Sequence, residues 1–504
     1  MHVKAMPARA LNVVSRLHGW WSYGSGALHE RLAADLRRLI ETGELEPLTQ
    51  LPSERALAQS IAVGRGTVAA AYDLLRSAGL VSSKQGSGTW VAGEQHRSGQ
   101  VGRETVLFPW LHRIDTSGPS DNRSRDIVDL SAVVTAAAAP VVQEMAALNR
   151  SDLTTLAGIQ EYIPVGLWLL REQIAGQFTD RGILTTADQI VVTTGAQQAL
   201  NLVVSTLVPR RGRVVLEDPT YPGALPIFRG QGAQLVPVPL DEGGARFDRV
   251  EDAIIQLRPC LLYLNPTHHN PTGTIMPESR RRQLAEFASS RNVTVVEGAV
   301  LEDLSCETSL PPPSMAAYCD ESVLTIGSMS PLFWTGLRVG WIRGPGRMIA
   351  RLARSKAVAD LGGSLLDQFI AARLLHRQKE VREIRSRELL HRRDLLSEAI
   401  THLLPQLTWK KPLGGPALWV EIPWGSATGL AQMALRFGVA ILPGPAFSPS
   451  GSHDNRFRLP YVAADDVLLK GVVRLAEAWD AYSSSAAHRA GPESLLRGQK
   501  ADHF

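Results

Sequence analysis

Apolar positions recur along this chain at two different spacings, and the change from one to the other marks its organisation. In Leu28–Glu41 (LHERLAADLRRLIE) they fall at 28, 32, 36, 39 and 40, the stripe of an amphipathic helix. Gly43 follows as a stop, and Pro47 lies in the next turn. Ser53 is placed to cap a second helix over 54–61, which Gly64 breaks. A third helix is expected over 67–78, with Val68, Ala71, Leu74 and Leu75 turned inward and Gly79 ending it. Residues 80–81 and 89–91 are short strand candidates on either side of the turn SSKQGSG. Three short helices and a two-stranded wing describe a winged helix-turn-helix, although three small helices also make plain bundles. In a winged helix the third helix has the size to enter a major groove, and the wing can touch backbone or minor groove.

The spacing then changes. Residues 94–125 are rich in Ser, Gly, Arg, Asp and Asn with little periodicity, as in a linker. From Ile127 onward strand-like runs alternate with helical stretches, the pattern of an α/β fold with a mainly parallel sheet. Candidate strands are 190–193, 213–216, 234–238, 260–265, 294–297 and 322–326. The stretch TIGSMSPLFWTGLRVGW, 325–341, gives the large unit its chemical character. A buried strand runs into a small-residue turn at 327–330, and Arg338 precedes another strand entry. Such a turn just past a strand, followed by a fixed Arg, is how α/β proteins hold phosphorylated ligands.

Composition narrows the class without deciding it. The chain has 504 residues, 44% apolar and 20% charged, enough for two to four domains with a large core. A formal charge of +4 is too weak to argue nucleic-acid binding alone, though residues 1–100 carry 11 Lys+Arg against 8 Asp+Glu. Three cysteines without metal-like spacing suit a reducing compartment and no disulfide framework. The most apolar stretch, 132–142, is broken by Pro140 and too short to span a bilayer. The N-terminus has no uninterrupted apolar region of a leader and reads as an irregular or partly helical extension. A cytoplasmic, soluble protein is expected.

The segment LPSERALAQSIAVGRGTVAAAYDLLRSAGLVSSKQGSGTWVAG closely resembles the GntR-type winged helix. With the first helix, the resemblance covers a domain at 22–93 and implies double-stranded DNA as partner. It places Ser53 and Arg55 at the second helix, Arg65 and Thr67 at the third, and Lys84, Gln85, Gly86 and Thr89 of the wing at DNA. Two positions depart: a Ser or Thr expected before the Arg is Gly64, and a basic residue after the Thr-Val pair is Ala69. Fewer phosphate and base contacts follow.

Residues 126–482 resemble the aminotransferase-like domain of MocR-type regulators, a fold-type-I pyridoxal-phosphate fold with a smaller α+β subdomain from about 380. A tail at 483–504 is expected to be disordered. The resemblance implies a phosphate cradle at Gly195, Ala196 and Gln197, helped by Ser328 and Arg338. It further implies an aromatic stacked on the pyridine ring at Tyr221, a partner for the ring's phenolic oxygen at Asn270, and a carboxylate grip at Arg458. Two positions break the pattern. The lysine that forms the Schiff base falls at Pro331, which has no amine, and the Asp that pairs with the ring nitrogen falls at Gly298. A Tyr common two residues later is Val300, and Glu302 and Asp303 lie past the strand end. Lys356, 25 residues after Pro331 on an expected helix, is a poor substitute.

These residues imply a DNA-binding transcriptional regulator whose large domain dimerises, senses an amino acid or phosphorylated metabolite, and has lost transaminase chemistry. Pyridoxal 5'-phosphate is the implied cofactor, here not as a lysine aldimine. Two other readings are an aminotransferase with an appended DNA-binding module, and a regulator whose large domain is only a dimerisation scaffold. The resemblance also implies a homodimer with each DNA-binding domain near its partner's large domain.

Overall fold

The stripe at 28–40 folds as α1 (Leu28–Glu41), burying Leu32, Leu36, Leu39 and Ile40. In the computed structural model, residues 13–14, 16–17, 26–42, 44–45, 49–84, 88–92, 127–307 and 311–487 are described. The expected linker and the wing residues Gln85 and Gly86 lie outside them. α2 (Glu54–Ser60) is capped by Ser53, whose hydroxyl accepts the Ala56 amide at 3.2 Å. α3 (Arg65–Ser77) starts two residues before the expected Thr67, with Gly64 as its N-cap rather than a simple breaker. Val68, Ala71 and Leu75 are buried as expected, but Leu74 is 41% exposed and Tyr72 takes the inward place. The Tyr72 hydroxyl donates to the Pro52 carbonyl at 2.8 Å and so fixes α3 against the chain entering α2.

The wing is a three-stranded sheet. β1 (Gln50–Leu51), β2 (Val81–Lys84) and β3 (Gly88–Val91) pair antiparallel in the order β1-β3-β2. The two-residue β1 carries no periodicity and was not expected. Val13, Val14 and Leu17 are buried in this domain's core, so its packing reaches ahead of the expected start at residue 22.

The six candidate strands of the large unit and two further ones, Gly244–Ala245 and Gly340–Arg343, form one eight-stranded sheet, ordered β5-β12-β11-β10-β9-β6-β7-β8. They are β5 (Ile190–Thr193), β6 (Arg213–Asp218), β7 (Gln234–Asp241), β8 (Gly244–Ala245), β9 (Leu261–Leu264), β10 (Thr294–Gly298), β11 (Val323–Ser328) and β12 (Gly340–Arg343). The central run from β11 to β7 is parallel, and β12 is antiparallel to both β11 and β5. Fully apolar strands such as Leu261–Leu264 are what burial on both faces requires. The smaller sheet, β13-β14-β16-β15-β4, contains β13 (Thr408–Trp409), β14 (Ala417–Glu421), β15 (Val439–Pro443) and β16 (Arg456–Pro460). It also takes in β4 (Val128–Leu130), parallel to β15, so the small subdomain draws on residues far ahead of 380. The last helix, Asp465–Ala487, continues through the first part of the expected disordered tail.

The winged head touches the small subdomain of its own chain. Helix α4, defined here as Ala427–Arg436, lies against α2: Arg436 donates to the Ile61 carbonyl at 2.7 Å, and Gln432 to the Leu17 carbonyl at 3.4 Å. Among the described residues no helix is long and apolar enough to cross a membrane.

Candidate effector cavity and DNA-reading face

At the carboxyl ends of the parallel strands lies a cavity of about 780 Å3, the expected ligand position in an open α/β sheet. Its lining includes Ala196, Gln197, Tyr221, Asn270, Gly298, Val300, Ser328, Pro331, Arg338 and Arg458, residues spread over more than 260 positions of sequence. Glu302 and Asp303 stand apart in a turn, paired with Arg181 at 2.5 and 3.3 Å. Lys356 is buried on the helix Gly346–Asp360 with its amine 2.7 Å from Asp360, away from the cavity lining. Among the described residues, no lysine lines the cavity.

One end of the cavity is built to receive an anion. β5 stops at Thr193, and Gly195, at φ 103°, turns the chain into the helix Ala196–Leu207. No side chain caps that helix, which leaves its first N–H groups turned outward at the positive end of the helix dipole. Arg338 is itself held in a left-handed conformation, φ 51°. It donates to the Thr194 carbonyl at 2.7 Å and to the Ser330 hydroxyl at 3.3 Å. A Cβ on Gly195 would fall 2.5 Å from this guanidinium, so glycine is required both for the turn and for the arginine's approach. Ser328 closes the cradle, its hydroxyl accepting the Ser330 amide at 3.2 Å.

Tyr221 forms one wall, its hydroxyl donating to Gln197 Oε1 at 3.0 Å while Gln197 Nε2 donates to the Gly223 carbonyl at 2.8 Å. Burial pushes the Tyr221 phenol up, against the pull of the Arg458 and Arg338 cations. Arg458 also lines the cavity and is only 4% exposed. It donates to the Ser131 carbonyl at 2.6 Å and Asn270 Oδ1 at 3.2 Å, and lies over the Phe447 ring. Its Nε has no hydrogen-bond partner, and the Asp129 carboxylate, also in the cavity lining, attracts it through space without a hydrogen bond to it. Burial lowers its pKa to about 10, so it stays a cation at neutral pH. A buried cation whose direct hydrogen bonds all go to neutral acceptors has an open donor for an anionic ligand.

The pyridine-nitrogen position is the unexpected part. β10 ends at Gly298, and the room beside it is filled by Asn265, the first Asn of NPTHHNPTG, in which the family resemblance points only to the second, Asn270. Asn265 Nδ2 and its backbone amide both donate to Glu217 Oε2, at 3.1 and 2.8 Å, and its Oδ1 accepts the Tyr263 hydroxyl at 3.2 Å. Position in the motif would have flagged Asn265; its contact with residue 298 could not be read from sequence. His268 also lines the cavity, fully buried with both ring nitrogens unpartnered, and burial drives its pKa down to about 4.

On the head, Ser53, Arg55 and Arg65 are exposed, and Thr67 and Thr89 are half-buried. Arg65 pairs with Glu54 at 3.1 Å, and Thr89 shares a hydroxyl contact of 3.0 Å with Ser83. Lys84 ends β2.

Comparison with known proteins agrees with this geometry. The profile for aminotransferase class I and II matches residues 127–473, and that for bacterial regulatory proteins of the gntR family matches 28–91. The uncharacterized HTH-type transcriptional regulator YdfD of Bacillus subtilis is 29% identical over 87% of this chain and 94% of its own length. The HTH-type transcriptional regulator TauR of Rhodobacter capsulatus is 27% identical over 90% of this chain and 97% of its own. The crystal structure of LysN, an alpha-aminoadipate aminotransferase from Thermus thermophilus complexed with N-(5'-phosphopyridoxyl)-L-leucine, superposes with a TM-score of 0.65 at 28% identity, covering 72% of this chain and 96% of that one. The chain belongs to the aminotransferase class I and II family, in the architecture of HTH-type transcriptional regulators that carry a gntR-type head before that domain.

Proposed function

We propose that this regulator reads DNA through its gntR-type head and senses a small anionic effector in the cavity, held without covalent attachment and without transamination. The observation that carries the reading is Arg458: a buried guanidinium with no carboxylate hydrogen-bonded to it and a free Nε–H, lining a cavity that Arg338 also lines. A ligand with a phosphate at the Arg338 end and a carboxylate at Arg458 would satisfy both cations. Each charge-assisted contact contributes on the order of 1.5–3 kcal/mol.

Pyridoxal 5'-phosphate, the cofactor the family implies, fits only in part. Gln197, Ser328 and Arg338 suit its phosphate, and Tyr221 suits its ring face. Pro331 offers no amine, and Gly298 offers no carboxylate to a ring nitrogen, with Asn265 filling that room. Ser53, Arg55, Arg65, Thr67, Lys84, Gln85, Gly86 and Thr89 form the proposed DNA-reading face.

The functional unit we propose is a homodimer. Tyr162 (76% exposed), Trp168, Val358 (91% exposed), Leu361 and Leu366 are large apolar side chains turned to solvent. The backbones at 163 and 362 adjoin, since a Cβ on Gly362 would lie 3.0 Å from the Ile163 carbonyl. Exposed apolar groups gathered this way favour coverage by a second surface. A monomer in sedimentation at micromolar concentration would count against this.

The test of the effector reading is thermal melting and binding to the protein's own upstream DNA, with and without 4'-deoxypyridoxine 5'-phosphate and amino acids. A ligand-dependent change in DNA affinity that disappears in Arg338→Ala and Arg458→Ala is expected. DNA binding indifferent to every such compound would leave the large domain a dimerisation scaffold.

A further inference from the structure

Resting on the effector reading above, the geometry points to Asn265 as the residue that sets what kind of ring the cavity accepts: a phosphorylated ligand whose ring edge facing Gly298 carries no positive charge. In the family pattern, position 298 supplies a carboxylate that holds a protonated ring nitrogen. Here a Cβ at 298 would lie 2.4 Å from Asn265 Oδ1 and 3.3 Å from its Cγ, so the first atom of any side chain there is already displaced.

A flexible Asn could give way, but this one is fixed at both ends of its amide. Nδ2 donates to Glu217, which is fully buried, and Oδ1 accepts from Tyr263, itself buried. The Asn265 backbone amide adds a further bond to the same Glu217 oxygen. Turning the amide by half a turn would set its carbonyl against the Glu217 carboxylate and its NH2 against the Tyr263 donor side, so the orientation is determined. Position 298 thus presents a neutral amide oxygen and a phenol where the family presents a full negative charge.

The consequence is electrostatic. A protonated ring nitrogen in a low-dielectric cavity needs a formal counter-charge, and a neutral amide repays little of the desolvation. The Glu217 carboxylate lies behind Asn265 and already accepts its two N–H groups, with His269 Nε2 a further 3.4 Å contact. An uncharged ring edge, carbocyclic or with an unprotonated nitrogen, meets no such demand. The site therefore rejects the charge state that transamination chemistry uses, while Arg338 and Arg458 still hold the ligand's two ends.

The test compares 4'-deoxypyridoxine 5'-phosphate with its 1-deaza counterpart, in which a ring C–H replaces the nitrogen. Neither has an aldehyde, so both bind only non-covalently. Isothermal titration of the wild-type full-length chain should show the deaza compound binding at least as tightly as the pyridine. Binding of the pyridine should take the proton off its ring nitrogen, either to solvent or to its own 3-oxygen, and both routes are read as loss of the ultraviolet band of the free zwitterion on binding; the deaza compound has no such form to lose. Asn265→Ala combined with Gly298→Asp should reverse the preference by tenfold or more. If that pair fails to fold, the wild-type comparison decides alone. A pyridine preferred tenfold by wild type, bound with the zwitterion's ultraviolet band intact, would overturn the inference and leave the effector reading standing. No binding of either compound at millimolar concentration would overturn both.

Discussion

The guanidinium of Arg436 donates to the main-chain oxygen of Ile61 at 2.7 Å, joining residues 375 apart in sequence. Ile61 is the C-cap of α2, so the cation sits at the negative end of the helix that packs against α3. A contact of this kind contributes about 1.5–3 kcal/mol. Two turns earlier on the same face of α4, a Cβ on Gly429 would meet the Gln59 carbonyl of α2 at 3.6 Å and the Tyr482 ring at 3.2 Å. Tyr482 stacks on Trp424, 5.8 Å between centroids.

Arg436→Ala is therefore expected to free the head from the small subdomain. Tryptophan emission should shift as the Trp424 cluster loses its neighbour, and the linker should be cut faster by protease. Binding to a single half-site should change little, whereas any effector response of DNA binding should fall sharply. A variant with the wild-type effector response would show that this contact carries no signal.

Arg65 stands at the start of α3, 75% exposed and paired with Glu54 at 3.1 Å. An exposed pair of this kind contributes about 0–1 kcal/mol, so DNA can capture the arginine at little cost. Arg65→Ala should weaken specific binding by about 1–3 kcal/mol and relax discrimination at one base position. Lys84→Ala should weaken all sequences alike and make the salt slope shallower by about one. Titrations of operator and scrambled DNA over a range of salt separate the two; wild-type behaviour from both variants would remove the proposed reading face.

Asp35 gives the head a pH dependence. Its side chain is fully buried in α1, with Oδ2 unpartnered, and burial raises its pKa to about 6 despite Arg38 beside it at 2.9 Å. The folded head holds this proton more tightly than the unfolded chain, whose value is 3.8. The contribution is full below about pH 4 and is lost as pH rises through about 6, amounting to at most about 3 kcal/mol. Asp35→Asn should remove that slope and stabilise the head at neutral pH. Calorimetry of the full chain, read on the transition that DNA shifts, checks it; equal slopes in both proteins would contradict the assignment.

Periodicity made the architecture legible. The stripe at 28–40 and the apolar runs at 190–193 and 294–297 became elements with nearly the expected ends, because burial against a sheet or helix leaves a regular trace in composition. Contacts between segments distant in sequence leave no such trace. Val128–Leu130 joins the small sheet through pairing with β15, and Leu74 lies on the exposed edge of α3 where Tyr72 reaches inward. The cavity was half legible: motifs placed Arg338, Tyr221 and Arg458, but the filling of the Gly298 position by Asn265 is a relation between two strand ends, visible only in three dimensions.

That relation changes what restoring the chemistry would take. Pro331 lines the cavity, so Pro331→Lys would present an amine to it. After incubation with pyridoxal phosphate, borohydride should then fix a mass adduct on the variant and none at this position on the wild type. Turnover of an amino acid should still be absent, because the ring nitrogen has no carboxylate to meet. Adding Gly298→Asp alone should not supply it: the new Cβ would lie 2.4 Å from the pinned Asn265 oxygen, an overpacking that costs about 1–3 kcal/mol and forces the carboxylate out of line. Only with Asn265→Ala as a third change does the carboxylate gain its room. The expected order is adduct with one substitution, a destabilised adduct with two, and amino-acid-driven formation of pyridoxamine phosphate with three. Turnover by the unmodified protein would sink the non-catalytic reading outright, and turnover by the double variant would show that Asn265 yields more readily than its bonds to Glu217 and Tyr263 imply.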